Sequence, residues 1–186
     1  MSLVSSVRRL GLGFAVAGLV GLSALAFPAA AQDASSAASS EPATEVAAVD
    51  PAAAERGFKV WRGSDCAGCH GWAGNGEKIG ENPKGPNLRA LSYDAATLKE
   101  VILCGRPGTL MPSHDPKAYD DDRCYGLVAA DLGDTKPPKG KPMTSEAADD
   151  IVAFIIQDLL GKPEKPSLEE CQRYYGKKPL CNMYAQ

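Results

Sequence analysis

Apolar positions along the chain recur at helical spacing in a few segments, and the stretches between them show no period. The clearest segment is "TSEAADDIVAFIIQDLLG", 144–161, where Ile151, Phe154, Ile155 and Leu159 fall on one helix face. Glu146, Asp149 and Asp150 sit near its positive N-terminal end, and Gly161 stops it. "DPAAAERGFKVWRG", 50–63, predicts another helix, with Asp50 as N-cap, Pro51 at the first helical position, apolar Phe58, Val60 and Trp61, and Gly63 at the end. "DAATLKEVILCG", 94–105, repeats the arrangement with Asp94 as cap and Gly105 just past the last turn. A short final helix starts at Ser167, with Glu170 three residues on as a capping box. From Gly71 to Tyr93, and again from Arg106 to Met143, the chain reads as loop rich in Gly, Pro and Asn or Asp. The expected architecture is all-α. Its loops hold too few apolar side chains to pack by themselves, so something large and apolar is expected at the centre.

The N-terminus changes the picture of where this domain works. Arg8 and Arg9 precede an apolar run, Leu10 to Phe27, and Ala29 and Ala31 form an Ala-x-Ala cleavage site. This is the pattern of an export signal over 1–31, cleaved after Ala31, and it predicts a periplasmic protein. Retention of the apolar run as an anchor is the alternative, and the only route by which a membrane enters the reading. Residues 32–49 form an Ala/Ser-rich flexible leader. Loss of Arg8 and Arg9 takes the net charge from −3 to −5, which argues against a nucleic-acid partner. The globular part then divides into a domain over 50–161 and a tail over 162–186.

Export also governs the six cysteines, because spare thiols in an oxidising compartment tend to pair. Cys66 and Cys69 stand apart in "SDCAGCHGW". A thioredoxin-like dithiol needs a βαβ pattern, which is missing, and structural zinc needs two ligand pairs, whereas the other cysteines are singletons and His70 and His114 are the only histidines. The third reading takes Cys66, Cys69 and His70 together as C-x-x-C-H, the attachment signature of c-type haem: two thioethers to one porphyrin edge and His70 as proximal iron ligand. The sixth ligand would come from Met111, Met143, Met183 or His114, with Met111, in the turn-rich "GRPGTLMP", leading, against its alternative as core filler. Clustered Asp115, Asp120, Asp121 and Asp122 raise calcium, but lack EF-hand spacing and read first as a solvated acidic loop and possible docking surface.

From Asp50 to Gly161 the chain resembles a class I monohaem cytochrome c. Cys66-Ala67-Gly68-Cys69-His70 matches the haem motif, Met111-Pro112 the axial Met-Pro step, and "GPNL", 85–88, the Gly-Pro-x-Leu in which the proline carbonyl accepts from the proximal His. The resemblance implies a helical fold around one covalent haem c, His70 and Met111 as axial ligands, Pro86 as the group orienting His70, and a helix crossing at Gly57 against Phe154. It implies a one-electron carrier acting through an exposed haem edge, and no enzyme. Arg106 and Arg89 are candidate propionate partners, and Trp72 a candidate cover for a haem face. A disulfide from Cys104 to Cys124 would pin the Met111 loop and one from Cys171 to Cys181 would staple the tail, two of the bridges that three possible connectivities allow. "CHGWAGNGE", "GRPGT" and "RCYG" are similar to monohaem cytochromes that serve periplasmic PQQ-dependent alcohol or methanol dehydrogenases, which would make such an enzyme the donor and a terminal oxidase or another cytochrome the acceptor. The other readings are a fixed haem subunit of a larger dehydrogenase or oxidase complex and a peroxidase-type haem enzyme.

Overall fold

A computed structural model describes residues 49–185. The export signal expected at 1–31 and the leader expected after it, up to residue 48, lie outside the described residues. Among the described residues six α-helices follow one another: α1 (Pro51–Gly63), α2 (Cys66–His70), α3 (Ala95–Cys104), α4 (Ala129–Leu132), α5 (Ser145–Phe154) and α6 (Leu168–Tyr175). Among the described residues there is no strand, only the isolated bridges Ser113–Lys139 and Cys124–Leu127. No described helix is long and apolar enough to cross a membrane.

The helix starts follow from side-chain caps. Asp50 accepts from the Ala52 N–H with Pro51 next in line, Asp94 accepts from Thr97, and Thr144 accepts from Ala147. Ser167 and Glu170 form a reciprocal capping box at α6. The largest helix interface is between α1 and α5. There Gly57 brings the two backbones together, since a Cβ would meet the Asp150 carbonyl oxygen at 1.9 Å and the Ile151 Cα at 2.9 Å. At the expected crossing of Gly57 and Phe154 the atoms nearest Gly57 belong to Asp150 and Ile151, one turn before Phe154, whose ring packs tilted against Phe58 and Trp61 with centroids 5.5 and 5.7 Å apart. A residue without a side chain lets backbones touch, and the bulky rings then fill the space beside the contact.

The segment after Phe154 also departs from expectation. Instead of continuing as α-helix to Gly161, the chain widens into a π-helical turn, Ile155–Leu159, in which the Leu160 N–H donates to the Ile155 carbonyl at 2.9 Å. Both Ile155 and Leu159 stay buried.

Three apolar clusters result. The main one joins Phe58, Trp61, Leu98, Ile102, Ile151 and Phe154. A second surrounds the Cys104–Cys124 disulfide with Tyr119 and Leu132. The third sets Trp72 against the Cys171–Cys181 disulfide and the tail tyrosines. Cys66 and Cys69 take part in neither bridge.

Candidate functional site

Where α1 ends, Ser64 caps it and Asp65 takes a left-handed conformation (φ 61°), so the chain reverses into the single turn α2. That turn carries Cys66, Cys69 and His70 to the wall of one cleft with about 1070 Å³ of empty space, mouth included. Leu98 and Ile102 of α3, Trp61 of α1 and Ile151 of α5 make its apolar lining.

The His70 ring is fixed from behind. Its Nδ1 lies 3.1 Å from the Pro86 carbonyl oxygen, an acceptor only, so Nδ1 carries the proton and Nε2 is left with its lone pair. Gly85 makes this possible, because a Cβ there would stand 2.8 Å from Nδ1. The Gly85 N–H donates to Cys69 O and the Gly76 N–H to His70 O, binding both loop limbs to α2. Burial lowers the His70 pKa, only partly opposed by the Pro86 bond, and so favours the neutral, ligating imidazole.

Met111 reaches the same cleft from the segment after α3. Gly105, at φ +68°, packs directly on the Met111–Pro112 peptide, where a Cβ would be 2.7 Å from Met111 O. The Thr109 hydroxyl donates to Arg106 O and accepts from the Met111 N–H, closing a tight turn. Arg106, exposed, lines the cleft near this turn.

The remaining candidates separate. His114 is buried and lines the cleft, its Nδ1 bound to Lys141 O at 2.7 Å and its ring pressed against Gly140. Met143 is buried in the main core outside the cleft lining, and Met183 is exposed on the tail. Trp72 does not line the cleft: its ring packs against Tyr174, Tyr175 and Tyr184 at 6.1, 5.7 and 5.4 Å. The indole on the cleft wall is Trp61, whose signal in the sequence was its position four residues after Gly57 on the buried face of α1. Arg89 is also elsewhere, buried and bonded to Ala73 O, Pro163 O and the Glu170 carboxylate. In the acidic loop, Arg123 engages Asp121 and Asp115, and its hydrogen bonds hold Asp121 down at about 2, so two of the four carboxylates already have a cation. Among the described residues no group of three or more His, Cys, Asp or Glu is arranged for a metal.

The two unbridged cysteines, the oriented imidazole and the apolar walls fit a porphyrin held by thioethers. The family model described as cytochrome c oxidase, cbb3-type, subunit III matches residues 52–130. The cofactor is a covalently bound haem c. The fold is that of class I cytochromes c, and the match supports a monohaem c-type cytochrome, a haem-based electron-transfer module. It spans the C-x-x-C-H turn, Pro86, Met111 and both cysteines of the first disulfide, and ends before α5. No curated protein and no solved structure shows a significant match.

Proposed function

We propose that the protein is an exported one-electron carrier in which Cys66 and Cys69 hold the haem and His70 and Met111 occupy the two axial positions of the iron. The observation that carries this reading is that His70, with Nε2 free, and Met111 line the same cleft as the two unpaired cysteines. Bound there, the haem supplies one-electron chemistry, and a thioether ligand raises its potential. His70 and Met111 together would hold the iron with no position left for a substrate, which would set the carrier apart from a peroxidase-type enzyme. Arg106, exposed where it lines the cleft, would be the cation available to a haem propionate. The signal pattern at 1–31 supports a periplasmic site of action, and the loop sequences around His70, Arg106 and Cys124 support a quinoprotein alcohol dehydrogenase as donor, with a terminal oxidase or another cytochrome as acceptor.

The test is optical. Oxidised wild-type protein is expected to show the weak long-wavelength Met-to-iron charge-transfer band. Met111→Ala should lose it, whereas Met143→Ala and His114→Ala should keep it. A band that survives Met111→Ala moves the ligand role to another residue, and a high-spin, peroxide-reactive wild type favours the enzyme. One observation favours a second reading, a fixed haem subunit of a larger complex: the matched family model is described as an oxidase subunit. Purification from the native membrane and soluble fractions separates the two, since a subunit copurifies with a stoichiometric partner and a carrier runs alone.

A further inference from the structure

Arg89 is the one cation in the described domain whose side chain is almost fully enclosed, at 1% exposure. Such a charge is not tolerated without partners, and its three bonds join segments distant in sequence: Nε donates to Ala73 O at 2.7 Å, Nη1 to Pro163 O, and Nη2 to Glu170. Ala73 lies three residues after His70, and Arg89 three residues after Pro86. With the Pro86–His70 hydrogen bond these contacts close a ring: His70 to Ala73 along the chain, across to Arg89, back along the chain to Pro86, and across to the His70 Nδ1. The Leu88 N–H donating to Gly74 O at 2.7 Å is a second rung of the same ring, and the Gly161 N–H donating to Arg89 O ties it to the end of the π-helical turn. Glu170 is itself immobilised, because its other oxygen accepts from the Ser167 N–H in the α6 capping box.

We propose that Arg89, neutralised by Glu170 of the C-terminal tail, is a positioning residue for His70, so that the tail sets the strength of the hydrogen bond behind the proximal ligand. The inference rests on the reading of His70 as an iron ligand. Outer hydrogen bonds to a ligating imidazole fix its orientation and raise its basicity, and a more basic ligand favours the ferric state. Without the Glu170 carboxylate the guanidinium is left unbalanced and the loop bearing Pro86 is released. The weaker Pro86 bond and the uncompensated positive charge both then act against ferric iron.

The experiment follows the His70 ring proton by ¹⁵N NMR in the reduced holoprotein, together with the midpoint potential. Glu170→Gln should exchange the Nδ1 proton at least about tenfold faster, as expected for loss of a charge-assisted bond supporting the ring, and should raise the potential. Glu170→Asp, which keeps the carboxylate, should restore both towards wild type, and Glu169→Gln, which removes an exposed charge one residue away, should change neither. A Glu170→Gln protein that is merely less stable, with His70 exchange and potential as in wild type, overturns the proposal. If that variant does not accumulate, Arg89→Lys keeps the charge but not the fork and should give the same faster exchange; unchanged exchange there also overturns it. A wild-type reduced protein without ring-current-shifted His70 signals would instead remove the ligand reading, which keeps the two failures distinct.

Discussion

Gly57 and Asp150 touch backbone to backbone: a Cβ on Gly57 would lie 1.9 Å from the Asp150 carbonyl oxygen. The same pair of turns is clamped by Arg56, which forks onto the Asp150 carboxylate at 2.7 and 2.8 Å. Gly57→Ala must therefore separate α1 from α5, or bend one of them, and neither neighbouring atom belongs to a flexible side chain. Overpacking of this kind costs about 1–3 kcal/mol, more than the ~1 kcal/mol that alanine gains over glycine in a helix. Gly57→Ala is expected to lower the stability of the holoprotein by about 1 kcal/mol net in urea unfolding. Gly63→Ala, at a site with nothing within 4 Å, should stay within about 0.5 kcal/mol of wild type.

Elements governed by local chemistry were legible in the sequence. The Asp50, Asp94 and Ser167 caps, the stop at Gly105, and the motif linking Cys66, Cys69 and His70 each depend on residues within one turn of one another. The place of Met111 on the cleft wall was legible for a different reason: a turn-rich loop between two cysteines leaves its methionine few places to go, and the Cys104–Cys124 disulfide does hold that loop to α3. What stayed hidden depends on distant packing. Trp61 and Trp72 look alike as sequence, and only the aromatic face of α6, with Tyr174 and Tyr175, draws Trp72 away from the cleft. Arg89 read as a candidate propionate partner because its actual partners, Ala73, Pro163 and Glu170, are scattered over about 100 residues of chain and leave no local signal.

The two disulfides should fail differently. In the chain-entropy model a ring of 20 residues contributes about 3 kcal/mol and one of 10 residues slightly less. Replacing Cys104 and Cys124 by Ala should cost about 3 kcal/mol and speed amide exchange at Ser113 and His114, the residues that follow the Met111–Pro112 step. Replacing Cys171 and Cys181 should cost about as much but speed exchange in α6, leaving the Met111 segment protected. Hydrogen exchange with peptide resolution separates the two patterns.

Asp121 gives a pH prediction with a defined sign. Its hydrogen bonds to Arg123 hold its pKa at about 2, below the unfolded value of about 3.9. The folded state thus prefers the ionised form, so the contribution of this contact is complete above the unfolded pKa and is lost as pH falls towards 2. Carboxyl titration by ¹³C NMR should show Asp121 rising towards about 3.9 in Arg123→Ala. An Asp121 titration unmoved by that substitution would mean that the Arg123 contact is not populated in solution.

Tyr119 and Tyr125 flank the same disulfide and should respond to loss of their hydroxyls with opposite signs. Tyr119 is 1% exposed, and its buried hydroxyl has no hydrogen-bond partner among the described residues. Leaving such a group unsatisfied costs about 1–3 kcal/mol, so Tyr119→Phe removes that penalty while keeping the ring that packs in the second cluster. The Tyr125 hydroxyl instead donates to Gly105 O at 2.7 Å, at the end of α3 where Gly105 presses on the Met111–Pro112 peptide. Its loss in Tyr125→Phe removes a neutral hydrogen bond of about 1 kcal/mol and frees a carbonyl beside the Met111 turn. Thermal unfolding of the holoproteins should place Tyr119→Phe above wild type and Tyr125→Phe below it, each by a few degrees. A Tyr119→Phe protein that unfolds below wild type would show that the hydroxyl finds a partner in solution.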